Sequence, residues 1–399
     1  MGRGYDDLLK GDAFALRKHE ENRPDVSYQL ENDKRLMRRK CLIIGLATLV
    51  IAFFSLCVGY NAAGTASVHF YSPADVIKVL YTACKVTIAD IFNLPSSLQK
   101  AQIIGAVPMY NDIILRAAVT TSACFCGALL AVSGMLFQNT FKNPIASPSL
   151  LGVSNGVQLG LLVLIIQFGM GAQVMVVQRF VYCYIGGIAV LLLVLVLGRL
   201  IGGKGGFNIF NLLVVGTIIS QIVGVIMSYA SQIMMGDSLW EVYYELQEAT
   251  QAYTGIKTYI MLIVTTVVCL LPVVILRFRF NLLSFTDAEI KMAGVNTTAL
   301  KLVAMICGSL MILTAQIYVG SIAVFALVIP FLSRYIFGVE FRKQLWGNIF
   351  LGMLLLLVCR DISAVIPFVG TGVPIGTIVS IVAMPIFVWM MTLNKKTWE

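Results

Sequence analysis

The sequence is short of charge. Only 12% of its 399 residues are Asp, Glu, Lys or Arg, against about 25% in soluble domains. So few ionic groups cannot cover a water-facing surface, which excludes an ordinary soluble globular protein. Histidine is scarcer still. His19 lies in the N-terminal tail and His69 in a loop, neither with a ligand partner at metal spacing. The nine cysteines contain no C-x-x-C pair. Cys41, Cys57, Cys124, Cys126, Cys183, Cys269, Cys307 and Cys359 lie in or beside apolar runs and read as small buried hydrophobes. No metal site is expected. No phosphate loop of the form G-x-x-x-x-G-K-[ST] is present, because Gly202-Gly203-Lys204-Gly205 has the wrong spacing. Neither a G-x-S-x-G turn nor an H-E-x-x-H helix occurs. The chain is therefore expected to be no enzyme and to carry no cofactor of its own. No basic cluster interleaves with aromatics, so nucleic acid is not an expected partner.

What the sequence has is apolar length. Hydrophobic residues make up 58%, and the mean hydropathy is +0.87. Apolar runs of about 18 residues or more recur, each long enough to cross roughly 30 Å of hydrocarbon. Ten spans are predicted, at about 41–60, 113–137, 150–168, 174–198, 209–234, 258–276, 300–319, 321–338, 345–366 and 374–392. The predicted fold is an all-α membrane protein whose spans face membrane lipid. A charged tail, 1–40, precedes the membrane domain, 41–392, and a short tail, 393–399, follows it. The first span carries no A-x-A cleavage site and is read as retained. The tail is read as mostly disordered.

Orientation follows from Lys and Arg. Lys34, Arg35, Arg38, Arg39 and Lys40 crowd the entrance to the first span, which puts the N-terminus in the cytoplasm. Ten spans return the C-terminus to the same side. Arg199, Lys204, Arg277, Arg279, Lys291, Lys301, Arg342, Lys343, Lys395 and Lys396 then fall inside. Lys78, Lys85, Lys100, Arg116, Arg179 and Lys257 fall outside, with Asp75, Asp90, Asp112, Asp237, Glu241, Glu245 and Glu248. The segment 61–112 becomes a long extracellular segment, and 281–299 a cytosolic loop. The +9 net charge is thus a topology signal. Ionisable residues within the spans are few: Asp361, its neighbour Arg360, and Arg179. Successive helical residues point about 100° apart, so Arg360 and Asp361 are not expected to be obliged to pair. A proton- or sodium-coupled carrier usually needs more buried charge, so an external energy source is expected.

Two stretches interrupt the apolar pattern. In FQNTFKNPIASPSLLGVSNG, 137–156, Asn143-Pro144 ends the second span. Ser147 precedes Pro148, a cap followed by a first-turn proline, so a new helix is predicted from Pro148. Gly152, Gly156 and Gly160 recur every four residues along it, a surface for close backbone approach. Ser154 and Gln158 form a polar stripe, with Asn155 beside it. Irregular backbone at membrane depth is tolerated only inside protein or beside water. The stretch is thus either a buried hinge or a pathway wall. Thr371-Gly372-Val373-Pro374-Ile375-Gly376 repeats the device before the last span, with Gly376 and Ser380 four apart. In the inner loop, Thr286 and Glu289 make a capping box and Gly294 a stop signal. A short helix at about 287–293 follows, with Asn296 capping the next span. So short a helix has little stability alone and packs on this chain's inner surface or on a cytosolic partner.

At these residues the chain resembles the FecCD-type permease subunits of ABC importers for iron-siderophores, haem and cobalamin. The resemblance runs from about Arg116 to Met391. GALLAVSG (127–134), NPIASPSLLGVSNG (143–156), AEIKMAGVN (288–296), VGSIAVFALVIPFLSR (319–334) and VPIGTIVSIVAMPIFVW (373–389) stand in the family's order. It implies ten membrane helices with an internal inverted repeat, the type II importer fold, paired with an identical or related permease chain. It further implies a pathway at the pair axis, two cytosolic ATPase subunits that hold ATP and Mg, and an extracytoplasmic solute-binding protein. By resemblance, Asn143, Pro144, Ser147, Pro148, Gly152, Ser154, Asn155, Gly156, Gln158, Pro374, Gly376 and Ser380 fall in pathway or gate segments. Thr286, Asp287, Glu289, Lys291 and Gly294 fall in the helix that couples to the ATPase, and Arg116 in the surface that docks the binding protein. The family's outer Arg-Leu-Pro-Arg is here Arg116-Ala117-Ala118-Val119, and a further outer Arg aligns with Val365. Ala323, Ala326 and Phe331 replace the usual Gly, Gly and His. The resemblance explains neither the tail 1–40 nor the segment 61–112. An ion-coupled secondary carrier and a non-transporting receptor or scaffold are the competing readings.

Overall fold

A computed structural model describes residues 26–60, 68–91, 110–168, 176–202, 209–234, 243, 256–366, 373 and 375–393. The chain divides into two compact units, Met1–Ile44 and Gly45–Glu399. Helix α1, Val26–Cys57, begins in the first. Residues 26–40, predicted to be disordered, are therefore helical: the charged stretch contains no Gly, and its one Pro, Pro24, precedes the helix.

An antiparallel hairpin follows, β1 (Val58–Tyr60) paired with β2 (Val68–Phe70), with Gly59 opposite His69. Helix α2, Pro73–Ile91, comes next. It buries Val76 and Val79 against Cys57, Tyr71 and Ile113. Val76, Val79, Leu80 and Ala83 keep the helical i, i+3, i+4, i+7 spacing, so the segment 61–112 contains a packed element.

The membrane bundle consists of α3 (Tyr110–Phe141), α4 (Val153–Phe168), α5 (Val176–Gly202), α6 (Ile209–Met234), α7 (Ile256–Ile275), α8 (Arg277–Phe280), α9 (Asp287–Met292), α10 (Thr297–Val319), α11 (Ala323–Phe337), α12 (Phe341–Val365) and α13 (Ile375–Leu393). Among the described residues, six helices are long and apolar enough to cross a bilayer. Tyr259–Ile275 with Arg277–Ser284 makes a seventh, bent by 62°, and Val153–Phe168, Val324–Phe337 and Ile375–Trp389 are shorter apolar helices. These account for the ten predicted runs, and most of their ends agree within a few residues.

The core sits on α3 and α10, the most buried of the long helices. Helix α3 packs against α10, α11 and α12, burying Leu129, Leu130, Met135, Leu136 and Phe137. Its closest neighbour is reached through glycine. A Cβ on Gly127 would lie 2.2 Å from the Gly352 carbonyl oxygen of α12. In lipid there is little hydrophobic gain from joining helices, so such backbone proximity supplies the packing.

Candidate translocation and coupling sites

Helix α3 ends at Phe141, and Lys142 turns the chain with φ 51°. Asn143 holds the turn: its Oδ1 accepts from the Ile145 N–H at 3.0 Å, and its carbonyl accepts from the Ala146 N–H at 3.1 Å. Pro144, Ser147 and Pro148 are buried. The predicted helix from Pro148 is corrected here. Pro148–Leu151 is a single 3-10 turn, and Gly152, at φ 71°, ψ 5°, is left-handed. That conformation resets the helical phase, which only Gly adopts without strain, so α4 starts afresh at Val153. Nor does the Ser147 side chain cap the turn; its Oγ lies 2.9 Å from that of Ser149.

The glycine face is nevertheless used. A Cβ on Gly156 would stand 2.6 Å from the Gly186 carbonyl oxygen, and one on Gly160 2.2 Å from that of Tyr182, both on α5. A Cβ on Gly152 would meet Ser220 and Gly216 of α6. The polar neighbours are tied to the same helices. Asn155 Nδ2 donates to the Ser220 carbonyl at 2.9 Å, and Gln316 Nε2 of α10 donates to the Ser154 carbonyl at 3.1 Å. Gly152, Ser154 and Gly156 are buried within this chain, while Asn155 and Gln158 are half-buried. Of the two readings, the buried hinge describes Gly152, Ser154 and Gly156 as they stand; Asn155 and Gln158 keep some exposure.

Pro374 lies outside the described residues, as do Thr371 and Gly372. Gly376 is half-buried, 3.2 Å from the Ser321 carbonyl oxygen if given a Cβ. Ser380 is exposed in the single chain and donates to the Gly376 carbonyl one turn back, at 2.8 Å. The 143–160 and 373–380 segments are not joined by these contacts.

The inner loop follows its sequence closely. Thr286 Oγ1 accepts from the Glu289 N–H, and Glu289 Oε2 accepts from the Thr286 N–H at 2.7 Å, the reciprocal capping box. Helix α9 is six residues, Asp287–Met292. Gly294 turns at φ 73°, and Asn296 Oδ1 accepts from the Ala299 N–H at 3.1 Å. Ile290 is the one side chain of α9 that is buried; Ala288, Glu289, Lys291 and Met292 are exposed, as is Phe285 beside them. The helix packs on its own chain through charge. Asp287 bonds Lys301 of α10 at 2.8 Å and lies 3.6 Å from Lys142, which also donates to the Phe285 carbonyl at 2.6 Å. The hydrogen bond to Lys301 holds the Asp287 carboxyl below its ordinary range, against the opposing effect of burial, with the charges of Lys301 and Lys142 assisting. The Thr286 backbone and hydroxyl bonds lower Glu289 similarly. Nearby, burial alone would raise Glu340, but Arg342 and Lys343 outweigh it. Lys142 was not singled out by sequence reasoning, yet it joins the end of α3 to α9.

The membrane charges depart from expectation. Arg360 and Asp361 do pair, at 2.8 Å, and Arg360 Nη1 also donates to Ser55 Oγ at 2.7 Å. Ser55 in turn donates to Asp361 at 2.6 Å and lies 3.0 Å from Thr120 Oγ1. The long Arg side chain folds back across the 100° between neighbours, which a count of helical angles ignores. Arg179 is buried and donates to the Ile317 carbonyl at 3.0 Å. Arg334 of α11, overlooked in the sequence, donates to Asn139 Oδ1 at 3.3 Å. Arg116, in the docking segment by resemblance, is buried within this chain. It is 5% exposed, with its guanidinium 4.5 Å from the Tyr71 ring centre. Tyr71 is steadied by a 3.1 Å bond to Asp112. Burial raises the Tyr71 phenol above its usual range, and the Arg116 charge only partly offsets this. Tyr71 and Asp112, four residues before Arg116, were the available signal.

A profile of the FecCD transport family matches residues 74–392. The chain belongs to this family. The FecCD match begins inside α2, so most of that helix lies within the family's range, and the resemblance drawn from Arg116 onward was too short. A hemin transport system permease protein of Yersinia pestis is 30% identical over 69% of this chain and 80% of its own length. The ferric dicitrate transport system permease protein of Escherichia coli is 28% identical over 78% of this chain and 90% of its own length. A solved chain from a transporter assigned to the metal-chelate ABC type, in an inward-facing conformation, superposes with TM-score 0.68 at 20% identity. It covers 89% of this chain and 99% of its own, which shows that the fold is that of an ABC permease. The chain is an integral membrane protein. Ala326, where a FecCD glycine is usual, still meets α3 closely: a Cβ on Gly134 would lie 1.7 Å from the Ala326 carbonyl oxygen. The facing glycine leaves the room.

Proposed function

We propose that this chain is the membrane permease subunit of an ABC importer for an iron chelate such as a siderophore or haem, or for a corrinoid. It works beside a second permease chain. Two cytosolic ATPase subunits supply ATP and Mg chemistry, and an extracytoplasmic solute-binding protein delivers the cargo. Both termini lie in the cytoplasm. The observation that carries the reading is α9: a doubly capped, exposed helix in a FecCD chain that has no nucleotide motif of its own.

The contacts suggest how force would travel. Closure of the ATPases would push α9 through Glu289, Lys291 and Met292. Lys142 ties α9 to the last turn of α3, and Lys301 ties it to α10. Lys142 is also the first residue of the turn leading to Gly152. A shift of α9 therefore reaches the hinge under α4 without passing through loose loop. Asp361 is neutralised by Arg360, which argues against its use as a carrier of coupled protons.

The test is ATP-driven uptake in proteoliposomes holding the complete complex. Glu289→Arg with Gly294→Trp should abolish most uptake while leaving ATPase activity in the detached subunit. Full uptake by that variant would sink the coupling assignment. Uptake that survives without the ATPase and collapses with an ionophore would establish the ion-coupled alternative. Labelled siderophore, haem and cobalamin compared in the same vesicles would identify the cargo.

A further inference from the structure

Helix α1 runs without interruption through the charged stretch and into the first apolar run. Its membrane-crossing candidate, Glu31–Cys57, has 27 residues, or about 40 Å at a 1.5 Å rise. That is roughly 10 Å more than the hydrocarbon core requires. The apolar run starts at Cys41, and Lys34 to Lys40 extend over about 9 Å of helix axis immediately before it. This is enough to cross one headgroup layer, about 5–8 Å deep.

The helix also gathers its cations. At 100° per residue, Lys34, Arg38, Arg35 and Arg39 fall within an arc of about 140°, which Glu31 shares and Lys40 lies outside. Arg38 and Arg39 are exposed. Arg35 is held by Glu31 at 2.8 Å. Over residues 31–40, five cations stand against two acids, a net +3. The FecCD match begins only at residue 74, so nothing in the family assignment accounts for this face.

We propose that the face of α1 carrying Lys34, Arg35, Arg38 and Arg39 is a binding site for acidic phospholipid headgroups of the membrane leaflet it enters. The cations lie where phosphate oxygens lie, on a helix that cannot move away from the bilayer because its continuation is the first span. A protein partner is the weaker occupant, since the face ends within about 10 Å of the hydrocarbon. The inference rests on the membrane placement of α1 and not on the transport reading, so the two fail separately.

Native mass spectrometry of the full-length chain in detergent tests it, with phosphatidylglycerol and phosphatidylcholine titrated in turn. Phosphatidylglycerol should bind with preference, and the preference should fall as ammonium acetate rises. Arg38→Gln with Arg39→Gln should weaken the first phosphatidylglycerol about 30-fold, from two charges near the headgroup plane. Arg38→Lys with Arg39→Lys should keep it, because attraction to a phosphate layer needs charge more than a planar fork. Leu36→Lys, which adds charge without removing any, should tighten it about fivefold; it keeps the test open if the glutamine pair misfolds. Unchanged lipid preference in the glutamine pair, or equal loss in the lysine pair, overturns the proposal. So does a glutamine pair that binds lipid normally but loses its ATPase.

Discussion

Replacing Gly160 by Ala tests the packing beneath the candidate hinge. The new Cβ would stand 2.2 Å from the Tyr182 carbonyl oxygen, 2.9 Å from its carbonyl carbon and 3.1 Å from the Cys183 Cα. All three are backbone atoms, so no rotamer change can relieve the overlap. Helices α4 and α5 would have to part by about 1 Å, forfeiting contacts along both faces. Overpacking of this kind costs about 1–3 kcal/mol, while Ala gains about 1 kcal/mol over Gly in a helix interior. A net loss of about 1 kcal/mol is expected. Gly224 of α6 is the internal control, with nothing within 4 Å of its added Cβ. Gly224→Ala should therefore only gain, by about 0.5–1 kcal/mol. Unfolding of the purified chain in mixed micelles with increasing SDS would separate the two variants by roughly 2 kcal/mol. If Gly160→Ala unfolds at the same or a higher SDS fraction than Gly224→Ala, the close α4–α5 approach is not what holds this region.

The Asp287 carboxylate titrates below its ordinary 3.8, chiefly through its hydrogen bond to Lys301. A depressed carboxylate gives stability that is present above the unfolded value and lost as pH falls through the folded one. Amides of 286–296 should therefore lose hydrogen-exchange protection as pH drops below about 4, and Asp287→Asn should reduce that pH dependence to the part that Glu289 contributes; protection that is flat with pH in the wild type would refute the pairing. Its half-exposed side chain keeps the effect small. Tyr71→Phe keeps the ring over Arg116 and should cost under about 1 kcal/mol, whereas Tyr71→Leu should cost about 2 kcal/mol or more by uncovering a desolvated guanidinium; equal melting temperatures for the two would show that the ring contact is idle.

Much of the architecture was legible because lipid imposes a length rule. The apolar runs gave ten helices in the right places, the shorter three included. The α9 capping box was equally legible, since Thr286 and Glu289 satisfy each other locally and need no tertiary partner. The Gly152 turn was not. Glycine every four residues reads as one helical face, and the pattern is identical whether or not the first glycine is left-handed; only the contacts with Ser220 and Gly216 decide it. The Arg360–Asp361 pair was left open because Ser55, which joins it, stands on another helix, 305 residues away from Arg360. Arg116 was placed by resemblance at a surface, but Tyr71 lies far enough upstream that no local pattern showed it covering the guanidinium. Helix α2 could have been found from its own periodicity.

The disposition of charge also bears on where the energy enters. Among the described residues, Arg360 is held by Asp361 and Ser55, Arg334 by Asn139 and Arg179 by the Ile317 carbonyl, while Arg116 lies over the Tyr71 ring. An ion-coupled carrier needs a buried group that exchanges its ion between two states, and a carboxylate already locked to a guanidinium exchanges poorly. What the bundle has instead is backbone against backbone, at Gly156 and Gly160 on α5 and at Gly127 on α12. Such contacts are all-or-none, because a fraction of an ångström separates fit from overlap. On the proposed reading, a structure of this kind would respond to a push. Lys142 and Lys301 hold α9 where a push from outside the membrane would be delivered to the ends of α3 and α10. Lys142→Ala should therefore lower ATP-driven uptake several-fold while leaving ATPase binding intact, since α9 itself stays capped. Uptake that falls only in proportion to lost ATPase binding would place Lys142 in the docking surface and remove it from the transmission path.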